Sequence, residues 1–319
     1  MSSIELSVII PAYNAGQTIG RCLDSLLQSV QQAPVEIVCV DDGSKDNTWE
    51  ILQSYSKKYA CLRIFHKENG GVGSARNVGL SQAAGNYIAW VDSDDYVTTD
   101  WYATIHGGLE KYNPDCLVFD YFYTRDNVDE PWHIALPEKV GLKAFVYEQS
   151  LERELKNFLW NQVIRAALLK KVKFNETYHM LEDYDVLTQV TPKFKKIIHI
   201  NKCLYHYVQT ESSLTHTVSS EVRWNNIDIV QRRYDYYKKI GLPISINDCA
   251  IHFCEYLYQS KCHEIKWAER SAIVRENLRL HQGEILRDKG VGKRVKIKAI
   301  FAIMGMDSLL RALLKLKNK

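Results

Sequence analysis

The 319-residue chain lacks any apolar run approaching the ~20 residues that a membrane-spanning helix needs. It lacks a CxxC pair, and its eight cysteines are scattered, several within apolar runs (Cys22, Cys39, Cys116, Cys254). That usage excludes a disulfide scaffold and a paired zinc motif, and reads as reduced core thiols in a cytosolic compartment. No basic segment precedes the first apolar run, which meets Pro11 after a strand's length, so no secretory leader is expected. Low-complexity tracts and internal repeats are missing too. So is a uniformly basic character. The net charge is +3, but residues 286–319 hold ten Lys and Arg against two Asp, which leaves the remainder net acidic. This argues against a nucleic-acid partner and suits an acidic body whose basic end meets an anionic membrane surface.

What is present is an ordinary globular composition, 46% hydrophobic and 25% charged, in a chain long enough for one large α/β domain and a smaller appendage. Leu6 to Ile10, Val35 to Val40 and Tyr87 to Val91 are continuous rather than alternating apolar runs, as expected of strands buried on both faces of a parallel sheet. Between the first two, Ile19, Cys22, Leu23, Leu26, Leu27 and Val30 share one helical face. A second helix is expected after Asp46 and Thr48, leading to a short strand at Leu62 to Phe65, and a third from Ser74 to Ala84, stopping at Gly85. Strands alternating with helices make a doubly wound half, whose ligand site belongs at the carboxyl ends of the strands. From Trp101 to Thr217 the pattern is mixed, and from Val218 it is helical and aromatic.

The first strand ends in Pro11-Ala12-Tyr13-Asn14 and the second in Asp41-Asp42-Gly43-Ser44-Lys45-Asp46, both on the ligand edge. A carboxylate there can accept the N3 proton of uracil and Tyr13 can stack on the base; an Asp-Gly turn with a helix cap is the alternative. Tyr87 to Val91 runs into Asp92-Ser93-Asp94-Asp95. In an extended segment Asp92 and Asp94 share a face, two carboxylates that suit Mn²⁺ or Mg²⁺ with diphosphate oxygens completing the shell. A mere acidic loop before the next helix is the alternative. Residues 68–79 are glycine-rich, but they follow the third strand and carry Arg76, against a dinucleotide loop. An Arg beside the acidic loop can orient Asp94 or neutralise diphosphate charge.

Taken in order, SVIIPAYN, VDDGSKDNT, GGVGSARNVG and YIAWVDSDD resemble family 2 glycosyltransferases of the GT-A fold over roughly the first hundred residues. The resemblance implies an inverting transferase with Pro11, Tyr13, Asp42, Arg76 and Asp92 on the nucleotide. Within that set Asp42 is expected on uracil, Asp92 near the ribose and Arg76 near the diphosphate, with Asp94 on the metal. Leu159-Trp160-Asn161-Gln162-Val163 and Met180-Leu181-Glu182-Asp183-Tyr184-Asp185 resemble the family's acceptor-side segments. Carried over, Asp183 is the general base, and Glu182 and Trp160 orient it or touch the acceptor. Tyr205-His206-Tyr207 and Ser212-Ser213-Leu214-Thr215 resemble a late segment of bacterial members, although Gln209 stands near where many have Arg. His206 is a further candidate metal ligand.

The implied architecture is α/β: a GT-A domain over residues 1–217, with a Rossmann-like nucleotide-sugar half (1–100), an acceptor half (101–217) and a mixed central sheet, then a helical extension over 218–319. The implied function is transfer from a UDP-sugar to a glycan or lipid-linked glycan in capsule or exopolysaccharide synthesis. The enzyme is expected in the cytoplasm, peripheral on the inner face of the cell membrane. There the basic segment Lys293 to Lys298 and Leu309 to Lys319 would dock on lipid; packing of that segment on its own domain, or a homodimer, is the alternative. Rival functions are an inactive nucleotide-sensing scaffold and a sugar-nucleotide nucleotidyltransferase, against which stands the lack of an N-terminal glycine-rich, Arg-containing phosphate loop.

Overall fold

A computed structural model describes residues 4–31, 33–151, 155, 157–209, 219–259 and 265–306. The strands are β1 Leu6–Ala12, β2 Val35–Asp41, β3 Leu62–His66, β4 Tyr87–Trp90, β5 Tyr96–Val97, β6 Cys116–Arg125, β7 Val128–Trp132, β8 Lys139–Val140, β9 Gln162–Arg165 and β10 Ile197–Val208. The helices are α1 Ile19–Val30, α2 Thr48–Ser56, α3 Val72–Gln82, α4 Trp101–Tyr112, α5 Leu142–Leu151, α6 Ala166–Leu169, α7 Glu182–Val190, α8 Ser220–Lys239, α9 Asn247–Gln259, α10 Ile265–Leu280, α11 Gln282–Arg287 and α12 Lys293–Ile303.

One sheet runs β3-β2-β1-β4-β9-β6-β10-β5, with β7 added to β6 and β8 to β10. The first four strands are parallel; β9 is antiparallel to both neighbours, and β6 and β10 again run with β4. The sheet is therefore mixed. Every residue of β1 and β2 is buried, as their unbroken apolar character predicts, because helices cover both faces. The register Leu6↔Val35 to Ala12↔Asp41 brings the two strand ends out together. Pairing with β4 stops at Ile9↔Trp90, so Pro11, with no N–H to give, sits beyond that ladder where the sheet opens. Helix α3 lies tightly on β1: a Cβ on Gly79 would meet Ile9 Cγ2 at 2.4 Å, which fixes a glycine there. Its close approach sets the height of Arg76, three residues earlier, at the strand ends.

The chain divides into two compact units, Met1–Leu142 with Asn157–Ser213, and Lys143–Lys156 with Leu214–Lys319. The segment 143–156, which holds most of α5, thus groups with the helices α8–α12 rather than with its neighbours in sequence. Within that second unit Arg233 is wholly buried, donating to Gln149 Oε1 at 3.0 Å and lying over the Tyr237 ring. Ser212 to Thr215, the 217/218 boundary and Leu309 to Lys319 lie outside the described residues.

Candidate active site

At the ends of β1 and β2, Tyr13 stands 47% exposed beside Asn14, whose side chain accepts from the Lys45 N–H at 2.8 Å. Asp42 is buried and already engaged. Its carboxylate accepts from Lys67 Nζ at 2.6 Å and from the N–H groups of Gly70 at 3.0 Å and Gly71 at 2.7 Å. Three donors on a group with about four acceptor positions leave one for an outside N–H. Asp42 therefore shapes the glycine segment before α3, and Lys67, which the sequence reading did not single out, neutralises it. Position was the available signal, since Lys67 directly follows β3. Gly43 at φ +74 permits the turn: a Cβ would meet the Asn69 N at 2.8 Å. Asp46 accepts from the Thr48 N–H at 3.1 Å just before α2, whose N-cap residue Asn47 makes no side-chain cap bond.

The acidic segment differs from the extended form expected. Strand β4 ends at Trp90, and Asp92 to Asp95 form a turn closed by Asp95 N–H to Asp92 O at 3.1 Å. Strand alternation therefore does not set these side chains; anchoring to β10 does. Asp95 is buried, its carboxylate accepting from Tyr205 Oη at 2.7 Å and Val208 N–H at 2.7 Å, while Tyr205 Oη accepts from Asp92 N–H at 3.1 Å. Burial first, then Asp94 and Asp92, pushes the Asp95 carboxyl well above the usual range. Asp92 is left 28% exposed and Asp94 exposed. Arg21 Nη2 reaches the backbone carbonyl of Asp94 at 2.6 Å.

Arg76 does not orient Asp94. Its guanidinium is 4% exposed and donates to Asp92 Oδ1 at 3.1 Å, Glu182 Oε1 at 2.6 Å and Asp183 Oδ1 at 2.5 Å. One positive charge thus gathers three carboxylates from the end of β4 and the start of α7. Helix α7 is entered through Leu181 at φ 61, an unusual conformation for leucine that points Glu182 and Asp183 inward from the first turn. Desolvation alone would lower the Arg76 pKa, but Asp183, Asp92 and Glu182 hold it charged. For Asp183, burial raises the carboxyl well above its ordinary value; Arg76 opposes the rise, and Glu182 and Asp92 add to it. A carboxylate so raised is a stronger base than a free one.

Two candidates lie elsewhere. Trp160 is 3% exposed, stacked on Tyr205 at 4.5 Å and Phe158 at 4.6 Å, so its ring supports the tyrosine that ties the acidic turn rather than facing an acceptor. Its apolar surroundings in β6 and β10 explain the burial. His206 is sandwiched between Tyr96 at 4.2 Å and Phe122 at 4.7 Å, with Nδ1 against Asp129 at 3.1 Å and Thr124 at 3.3 Å. Those partners hold the ring within the β5–β10–β6 layer.

The sequence model described as "Glycosyl transferase family 2" matches residues 7–177, more than half of the chain and all of the acidic turn, Arg76 and Trp160. The chain belongs to glycosyl transferase family 2. This glycosyltransferase is 29% identical over 249 residues to Glycosyltransferase GlyA of Streptococcus pneumoniae, covering 75% of this chain and 36% of that one. It is 26% identical over 252 residues to Glycosyltransferase GlyG of the same organism, covering 76% and 83%. The matched stretch thus spans about a third of one relative and most of the other. The structure of S. aureus TarS 1–349 in complex with UDP superposes with a TM-score of 0.68 at 20% identity, covering 96% of this chain and 89% of that one. The shared fold is GT-A.

The glycosyltransferase's acidic turn fits a divalent cation on its own terms. Although Asp94 reaches solvent, the protein crowded around its carboxyl, then the Asp92 charge, pushes its pKa up to about 6; its own backbone N–H and the Arg21 charge oppose the rise. Clustered carboxylates are hard oxygen ligands of the kind that suits Mg²⁺ or Mn²⁺. Among the described residues no three His, Cys, Asp or Glu side chains gather as a complete metal cage. No described helix is long and apolar enough to cross a membrane.

Proposed function

We propose that this chain is an inverting transferase that moves a sugar from a UDP-sugar to a hydroxyl of a glycan or lipid-linked glycan. The observation that carries the reading is the meeting of Asp92 and Asp183, from distant parts of the sequence, on one buried Arg76 at the open end of the parallel sheet. A donor-side carboxylate and a raised-pKa carboxylate are brought together there, as direct displacement requires. Tyr13, Pro11 and the free acceptor position of Asp42 would take the uracil, and Asp92 the ribose. That TarS was solved with UDP supports the choice of nucleotide.

In the proposed reaction Asp183 removes the acceptor hydroxyl proton as that oxygen attacks the anomeric carbon. The new C–O bond forms opposite the bond to the β-phosphate, which breaks with its electron pair leaving on UDP, and configuration inverts. Glu182, 13% exposed on the same guanidinium, holds Asp183 in place and can accept from acceptor hydroxyls. A Mn²⁺ or Mg²⁺ ion on Asp94, with Asp92 beside it, would supply neutralisation of the leaving diphosphate.

Helix α12 packs on its own unit through Ala299, Ala302 and the bond from Tyr258 Oη to Lys298 O at 3.0 Å, with Lys296 donating to Leu286 O. Its exposed Lys293, Arg294 and Ile297 support docking of the remaining basic face on an anionic membrane surface. The test of the main reading is a panel of UDP-, GDP- and dTDP-sugars incubated with Mn²⁺, measuring nucleotide release. Turnover of a UDP-sugar, abolished by EDTA and restored by Mn²⁺, is expected; turnover of only GDP- or dTDP-sugars, or full activity in EDTA, would contradict it.

A further inference from the structure

We infer that Arg76 is a positioning residue that sets the base Asp183 against the donor-side Asp92, and that it does not bind the diphosphate itself. The inference rests on the reading of Asp183 as the base and adds to it the device that aims it. The guanidinium is all but closed to solvent, its two Nη groups are taken by three carboxylates, and it lies 5.7 Å from the Phe174 ring centroid. Its Nε is buried with no acceptor among the described residues, and three of its N–H groups are spent on carboxylates. A phosphate at this Arg would compete with three carboxylates for a guanidinium that is only 4% exposed.

Its three partners come from two elements that otherwise have no shared backbone ladder, the turn after β4 and the first turn of α7. The fork geometry of Arg, with separate N–H groups on one rigid plane, can hold both at fixed distance and angle. Without it Asp92, Glu182 and Asp183 would carry like charges into one space and separate. A base misplaced by about 1 Å costs on the order of 10²-fold in rate. Lysine keeps the charge but offers a single point, so it can compensate the carboxylates without fixing their mutual angle.

The test compares Arg76→Gln, Arg76→Lys, Asp183→Asn and the Arg76→Gln/Asp183→Asn double variant by kcat, donor KM and calorimetric UDP affinity. The expected result for Arg76→Gln is a kcat lower by about 10²-fold, with UDP affinity and donor KM changed by no more than in an Asp92→Asn control, since Asp92 is the one donor contact that Arg76 holds. Arg76→Lys should recover part of that loss. The double variant should be no more than about threefold slower than Asp183→Asn alone, because nothing is left to aim. A loss of UDP affinity in Arg76→Gln about tenfold greater than in Asp92→Asn, or multiplication of the two rate losses in the double variant, would overturn the inference and return Arg76 to the diphosphate. If three unpaired carboxylates keep Arg76→Gln from folding, Arg76→Lys decides: parental kcat contradicts positioning, and reduced kcat with retained UDP affinity supports it. Parental turnover by Asp183→Asn would sink the base assignment separately, whatever the Arg76 variants do.

Discussion

Tyr205→Phe isolates the tie beneath the acidic turn. The ring is wholly buried and stacked on Trp160, so phenylalanine fills the same space and only the hydroxyl is lost. That hydroxyl donates to Asp95 at 2.7 Å and accepts from Asp92 N–H at 3.1 Å. Loss of a hydrogen bond to a charged group costs about 1.5–3 kcal/mol, and the part-buried Asp92 N–H left without its partner costs toward the low end of about 1–3 kcal/mol. Asp95 keeps the Val208 N–H, and its raised pKa lets it protonate, so the sum is reduced to about 2–4 kcal/mol. Against a typical domain stability of about 5–15 kcal/mol the variant should fold. Urea unfolding should show a lower midpoint at unchanged slope, and the half-saturating Mn²⁺ concentration should rise, since Asp92 and Asp94 ride on the loosened turn. A stability loss under about 0.5 kcal/mol with unchanged Mn²⁺ dependence would refute the idea that Tyr205 holds the turn.

Gly43→Ala should cost at least about 1 kcal/mol, because the residue sits at φ +74 and its new Cβ meets the Asn69 N; thermal unfolding and weakened UDP binding check it, and parental values of both would contradict it. The pH profile of transfer should follow Asp183, which acts only when unprotonated. Because burial raises its pKa, activity should rise with pH and level off above the ordinary aspartate value of about 4. An acid limb centred at or below that value would show that the base lies elsewhere.

The parallel half was legible because both faces of β1 and β2 are covered, so their burial is written as unbroken apolar runs ending at polar residues. Helix α1 was equally plain from its apolar face. The antiparallel part was not: β9 is four residues long, and its place between β4 and β6 follows from contacts distant in sequence. Grouping of 143–156 with the later helices is invisible to a linear reading for the same reason. At the site, the types and order of Asp92, Asp94, Glu182 and Asp183 could be read, but their sharing of Arg76 could not. Trp160 shows the converse limit: a motif position shared with a family does not say whether the ring faces a ligand or lies under one.

The central claim, that Asp183 is the base of a direct displacement, is tested most directly by Asp183→Asn, assayed for transfer and for UDP affinity on the same preparation. The amide has nearly the size of the carboxylate and keeps an oxygen for Arg76. Transfer is predicted to fall by about 10²- to 10⁴-fold with UDP affinity within about threefold of the parent. Transfer within a few-fold of the parent, with Glu182→Gln inactive instead, would contradict it.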